Sequence, residues 1–236
     1  VSISGNAKKR KTMLYPIGIQ NFGKIREGGY VYVDKTDLIY NIVQTGGYYF
    51  LSRPRRFGKS LLVSTLEAYF QGKKELFQGL AIENLEKDWN SYPVLHLDLS
   101  GVTYTSVEIL DEKMNDTLDV WEQRFGKNEG FKTDSIRFKR IIDAAYEKTG
   151  KQVNNLNDIS MDEEFSSLCG ISETDLHTYF GESVREMAAA NKLSEEECYT
   201  KLKDYYDGYH FCADSEDIYN PFSLLSALRK KRFNDY

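Results

Sequence analysis

Tyr48-Tyr49-Phe50-Leu51-Ser52-Arg53-Pro54-Arg55-Arg56-Phe57-Gly58-Lys59-Ser60-Leu61-Leu62 carries the strongest signal in the chain. An apolar run reads as a short buried strand. A tight basic loop follows, ending in Gly-Lys-Ser, and then a helical pattern begins. Strand, loop and helix in this order make a cradle for nucleotide phosphates. Gly58 lets the backbone approach a phosphate with no Cβ in the way. Free amides at the start of the helix, together with its dipole, attract the anion. Lys59 supplies a point charge for the β- and γ-phosphates, and Ser60 a hydroxyl ligand for Mg²⁺.

The full pattern begins with a Gly five positions before Gly58, and Arg53 stands there instead. Gly-Lys-Ser alone is common, and the plain alternative is a solvated basic turn that caps a helix. The strand before the loop, the loop length and the helix after it favour the cradle. The expected nucleotide-binding residues are therefore Arg55, Arg56, Phe57, Gly58, Lys59, Ser60 and Leu61, with Ser60 also the metal ligand. ATP and Mg²⁺ are the cofactors this implies.

Several blocks beyond the loop extend the reading. They are Tyr15-Pro16-Ile17-Gly18-Ile19-Gln20-Asn21-Phe22, Tyr32-Val33-Asp34-Lys35-Thr36 and Tyr92-Pro93-Val94-Leu95-His96-Leu97-Asp98. Further on come Asn155-Leu156-Asn157-Asp158-Ile159-Ser160, Tyr206-Asp207-Gly208-Tyr209-His210-Phe211 and Tyr219-Asn220-Pro221-Phe222-Ser223. With the loop, whose Arg-for-Gly exchange is part of the pattern, they resemble the bacterial AAA-ATPase-like family from about Leu14 onward. The resemblance implies an ATPase module that couples nucleotide binding or hydrolysis to a conformational change. The alternative is a non-hydrolysing nucleotide-binding scaffold. It further implies a PD-(D/E)XK nuclease-like domain or nucleic acid as partner, beyond Tyr236. It also implies an apolar strand ending in acidic residues, then another strand and a helix, between Val153 and Asn154, where this sequence has nothing. A break in space at that join is expected, and the catalytic acids are expected to belong to the absent segment. The weak candidate that remains is Asp98, which by pattern ends a strand and by the plainer reading bonds a neighbouring loop.

The 236 residues suit one large domain, or one with a small appendage. A hydrophobic fraction of 41% is enough for a substantial core, and a net charge of −5 does not advertise nucleic-acid binding. Cys169, Cys198 and Cys212 are odd in number and widely spaced, which argues against a disulfide framework or a zinc site. His96, His177 and His210 are equally scattered. There is no apolar leader and no run long enough to span a membrane, so the reading is cytoplasmic with no membrane partner.

Residues 1–13, with Lys8-Lys9-Arg10-Lys11, read as a flexible extension. Residues 25–29 read as a loop and 30–33 as a short strand. Thr36 is expected to cap a helix over 37–44, with a salt link for Asp34. Helices follow over 59–70, 106–124 and 136–148, and a strand over 94–99. Later helices begin with capping boxes at Ser172 and Ser194, and one with Asn220 before Pro221. Strands alternating with helices predict an α/β fold: a P-loop NTPase-type parallel sheet with flanking helices over 14–153. The remainder of that core and a mostly helical lid are expected over 154–236.

Overall fold

The computed structural model describes residues 13–126, 133–149, 156–158, 164–211 and 215–234. The expected N-terminal extension and the Val153–Asn154 join lie outside these residues, 13 excepted.

Helix α1, Phe22–Glu27, opens where Asn21 accepts a hydrogen bond from the Lys24 amide at 2.9 Å. Residues 25–29 are thus mostly helix rather than the expected loop, because Phe22 and Ile25 are wholly buried and hold the turn against the core. Gly28 closes α1 at a crowded point, since a Cβ there would meet the Tyr30 ring at 2.5 Å.

Helix α2, Thr36–Thr45, corrects the expected cap. Asp34, not Thr36, supplies the capping oxygen, its carboxylate accepting from the Thr36 amide at 2.9 Å and the Thr36 hydroxyl at 2.7 Å. Its other oxygen accepts from the Ala81 amide, and the buried Thr36 hydroxyl accepts from the Ile82 amide. Nor does Asp34 hold the salt link. Lys35 does, donating to Asp175 at 2.5 Å.

Strand β1, Tyr48–Phe50, leads through the basic loop into α3, Lys59–Phe70. A 3-10 turn, Lys74–Phe77, and the short α4, Ile82–Leu85, follow. Helices α5, Val107–Phe125, and α6, Asp134–Thr149, form a hairpin. Strand β2 is Leu156–Asp158, and β3, Ile171–Ser172, leads directly into α7, Glu173–Asn191. Helix α8 is Glu195–Tyr206, β4 is Ile218–Tyr219, and α9 is Pro221–Lys230.

The expected α/β parallel-sheet architecture is not the fold. Among the described residues helix dominates. Strands form only two two-stranded sheets: β1 beside β2 in parallel, with Tyr48 opposite Leu156, and β3 beside β4 antiparallel. The stretches 30–33 and 94–99 have strand-like sequences but belong to no sheet. Strand preference expresses packing and pairing with neighbours, not an intrinsic backbone choice. Among the described residues neither stretch finds an edge to ladder with; Val31 makes one bond, donating to the Leu14 carbonyl at 2.9 Å.

Two main cores result. One gathers Phe22, Ile39, Phe77 and Ile82 with the inner faces of α2 and α3. The other gathers Leu176, Phe180, Met187, Leu202 and Leu224 from α7, α8 and α9. Each fully buried side chain of this size contributes about 1.5–3 kcal/mol. Tyr15, Ile17, Val31 and Val33 from the N-terminal stretch pack on the second core, and Tyr15 donates to the Ser183 hydroxyl at 2.6 Å. A smaller cluster of Phe57, Cys169 and Ile218 sits directly under the basic loop.

Candidate functional site

The loop after β1 turns on two residues with left-handed backbone, Arg56 at φ 70° and Gly58 at φ 89°. A Cβ on Gly58 would meet nothing within 4 Å, so the conformation rather than crowding calls for glycine here. Gly58 is the N-cap of α3 and provides no side-chain cap; its carbonyl accepts the first helical bond from the Leu62 amide at 2.9 Å. The amides of Gly58, Lys59, Ser60 and Leu61 have no acceptor among the described residues. Four unsatisfied donors at the positive end of a 12-residue helix have the chemistry to receive an anion.

Lys59 is folded back on the loop. Its Nζ donates to the carbonyls of Arg53 at 2.5 Å and Pro54 at 2.8 Å. Ser60 is exposed at the helix start, where its hydroxyl can join phosphate oxygens and water around Mg²⁺. The donors fit a phosphate chain, and Ser60 fits one position of its metal ion.

The three arginines differ: Arg55 and Arg56 are exposed, whereas Arg53 is buried. Its guanidinium donates to the carbonyls of Ser52 at 2.9 Å and Phe165 at 3.1 Å, and lies 4.1 Å from the centre of the Phe211 ring. Arg56 lies 3.9 Å over the Phe222 ring. Arg55 is exposed. Phe57 turns inward and is fully buried, edge-on to Tyr209 at 4.6 Å and Phe211 at 5.6 Å. Leu61 is half-buried on the inner face of α3.

Tyr209, Phe211 and Phe222 therefore clamp the loop. Nothing in the spacing of these residues announces contact with a loop about 150 residues earlier. The signal available was aromatic content, since Tyr209, Phe211 and Phe222 are the partners three loop residues require.

Cys169 lies under the loop. Burial pushes its thiol up to about 11, against the pull of Arg53, Lys59 and Lys35, so it is a neutral packing group. An apolar cavity of about 110 Å³ adjoins Gly58, bordered by Tyr32, Val33, Leu61, Cys169 and Pro221.

Asp98 is not shown at the loop. Its carboxylate accepts from the Ser100 amide at 2.8 Å. Hydrogen bonds from Ser100 hold its pKa below the ordinary value, with smaller help from His96 and Lys113. His96 faces Glu67, His177 stacks on Tyr199, and His210 faces Asp217. Among the described residues no three His, Cys, Asp or Glu side chains are grouped to hold a metal ion. None of the described helices is long and apolar enough to cross a membrane.

A family model described as a predicted AAA-ATPase matches residues 16–163. An uncharacterized protein from the vnfD 5′ region of Azotobacter chroococcum mcd 1 is 30% identical over 285 residues, which cover 94% of this chain and 53% of that protein. The chain thus spans about half the length of this relative. The aligned length exceeds the whole chain's 236 residues, so the relative carries residues within the matched region that have no counterpart here. No solved structure matches.

Proposed function

The chain belongs to the predicted AAA-ATPase family, and from that premise we propose that it binds ATP at the amides of Gly58 to Leu61 and couples binding to movement of the clamp made by Tyr209, Phe211 and Phe222. The observation that carries this reading is the cradle: four unpartnered amides at the start of α3, beside a lysine with no carboxylate partner of its own among the described residues.

Binding has a local consequence. The carbonyls that hold Lys59 are those of Arg53 and Pro54. When Lys59 swings to the phosphates, these carbonyls lose their donor and the loop relaxes. Arg53 and Phe57 transmit that shift, because both are packed against Phe211. Ser60 supplies one oxygen to Mg²⁺, and the phosphates and water supply the others. Hydrolysis would need in addition an acid at the metal or the attacking water. With the Asp98 carboxylate engaged by Ser100, the geometry supports binding and coupling first.

The test is calorimetric titration with MgATP. Lys59→Ala removes a charged phosphate contact and should cost about 2–3 kcal/mol, a loss of about 30- to 150-fold in affinity. Equal affinity in parent and variant would refute the site.

A further inference from the structure

The two main cores and the small cluster under the loop meet around the cavity of about 110 Å³ that adjoins Gly58. The first core contributes Ile39 and Leu62 to its wall, the second Ile171, Phe180 and Leu225, and the small cluster Phe57. Protein interiors are close-packed, and cavities larger than a water molecule are few in a domain. This one lies where three separately packed groups of side chains come together.

The side chains with polar atoms on the wall are Tyr32, Lys35, Thr65 and Cys169. The Tyr32 hydroxyl is hydrogen-bonded to Thr65. The Thr65 hydroxyl donates to the Leu61 carbonyl at 2.9 Å, and Lys35 donates to Asp175 at 2.5 Å. Burial keeps the proton on the Cys169 thiol, and a thiol is a weak donor. A buried water needs about two to four polar partners. The polar side chains here are already engaged elsewhere, so the wall suits apolar atoms better than water.

We propose that this cavity is a binding site for a small hydrocarbon ring, of about the size of benzene. An engineered cavity of about 150 Å³ with a wall of Leu, Ile and Phe takes benzene, and the cavity here is somewhat smaller with the same kind of wall. A ring of this size gains dispersion contacts on all sides and breaks no hydrogen bond. A polar ring of the same shape would bury its nitrogen or hydroxyl without a partner, so the site discriminates against it. The occupant touches Gly58 and Leu62 at the start of α3, Phe180 of α7 and Leu225 of α9. It therefore holds the start of α3 against α7 and α9. The inference does not rest on nucleotide binding.

The experiment titrates the 236-residue chain with benzene and, separately, with pyridine, following methyl and amide NMR signals and thermal melts. With benzene the methyls of Ile39, Ile171 and Leu225 should shift together and saturate at one midpoint. Hydrogen exchange should slow at the Leu62 amide, which donates to the Gly58 carbonyl. The melting temperature should rise by about 3 °C with benzene at about ten times its dissociation constant. Pyridine should bind about tenfold more weakly or worse. Leu62→Phe and Cys169→Met each add atoms to the wall, and each should abolish the benzene response; should either fail to fold, the other and the pyridine comparison still decide. Benzene that shifts only exposed methyls, pyridine that binds as well, or a folded variant that responds like the parent would overturn the proposal. So would MgATP that competes benzene away, which would assign the cavity to the nucleotide.

Discussion

Arg53 stands where a phosphate loop ordinarily begins with glycine, and its burial shows what the exchange accomplishes. The side chain turns away from the phosphate position. It ties the loop to Phe165 and Phe211, more than a hundred residues later. Arg53→Ala should leave the Phe165 carbonyl without this donor and remove the ring contact. The expected cost is about 2–3 kcal/mol of stability, measured by urea unfolding. Arg53→Lys should recover little, because an ammonium cannot reproduce the planar fork that serves two carbonyls and a ring together. Full recovery by lysine would mean that charge alone matters. The left-handed turn at Gly58 and the helix that follows it were legible in the sequence because they depend on residues a few positions away. The role of Arg53 was not, because its partners are brought in by the fold.

Asp207 offers a second test at this scale. Burial raises its pKa above the ordinary value, with Asp217 and Glu173 adding to the shift and the Gly208 amide and Lys203 opposing it. The folded protein therefore holds this proton more tightly than the unfolded chain does. Stability should fall as pH rises from the ordinary Asp range through the raised value. Asp207→Asn keeps an acceptor for the Gly208 amide and removes the charge. The variant should be more stable than the parent at pH 7, by up to about 1 kcal/mol, and the gain should vanish at acid pH, where the parent is protonated in both states. Thermal melts at several pH values would check this, and a variant less stable at neutral pH would contradict it.

Among the elements, those with local punctuation were the readable ones. Ser172 and Ser194 each accept from the amide three residues on, and Asp175 and Glu197 bond back, so both capping boxes form as their sequences imply. Asn220 caps α9 with Pro221 at its first position. Ser194→Ala should cost about 1 kcal/mol, read by chemical denaturation. The boundary of α2 was less legible, because its cap comes from Asp34 and its anchor from Lys35. The Lys35–Asp175 pair joins the start of α2 to the start of α7, and both side chains are nearly buried. Lys35→Met leaves Asp175 covered without its cation and should cost about 3 kcal/mol. A loss under about 1 kcal/mol, the size of an exposed pair, would show that the contact does not join the two halves. The strands were the least legible elements. Residues 94–99 have the composition of a strand, yet pairing depends on an edge that composition cannot supply.

Across the whole molecule, the expected parallel sheet gives way to two main helical cores. The family was readable because its blocks are short, local and in order along the chain. The architecture was not, because a sheet is a sum of long-range pairings, and among the described residues the strand pairs are β1 with β2 and β3 with β4. The loop has α3 of the first core behind it and the side chains of Tyr209, Phe211 and Phe222 against it. A ligand at the start of α3 is thus placed to act on both. The most direct test is an NMR titration of the labelled protein with MgATP, following backbone amides. The amides of Gly58, Lys59, Ser60 and Leu61 should shift first and furthest, with those of Tyr209 and Phe211 moving in step at the same midpoint. Saturable ATP binding that leaves the four loop amides unmoved would contradict the account.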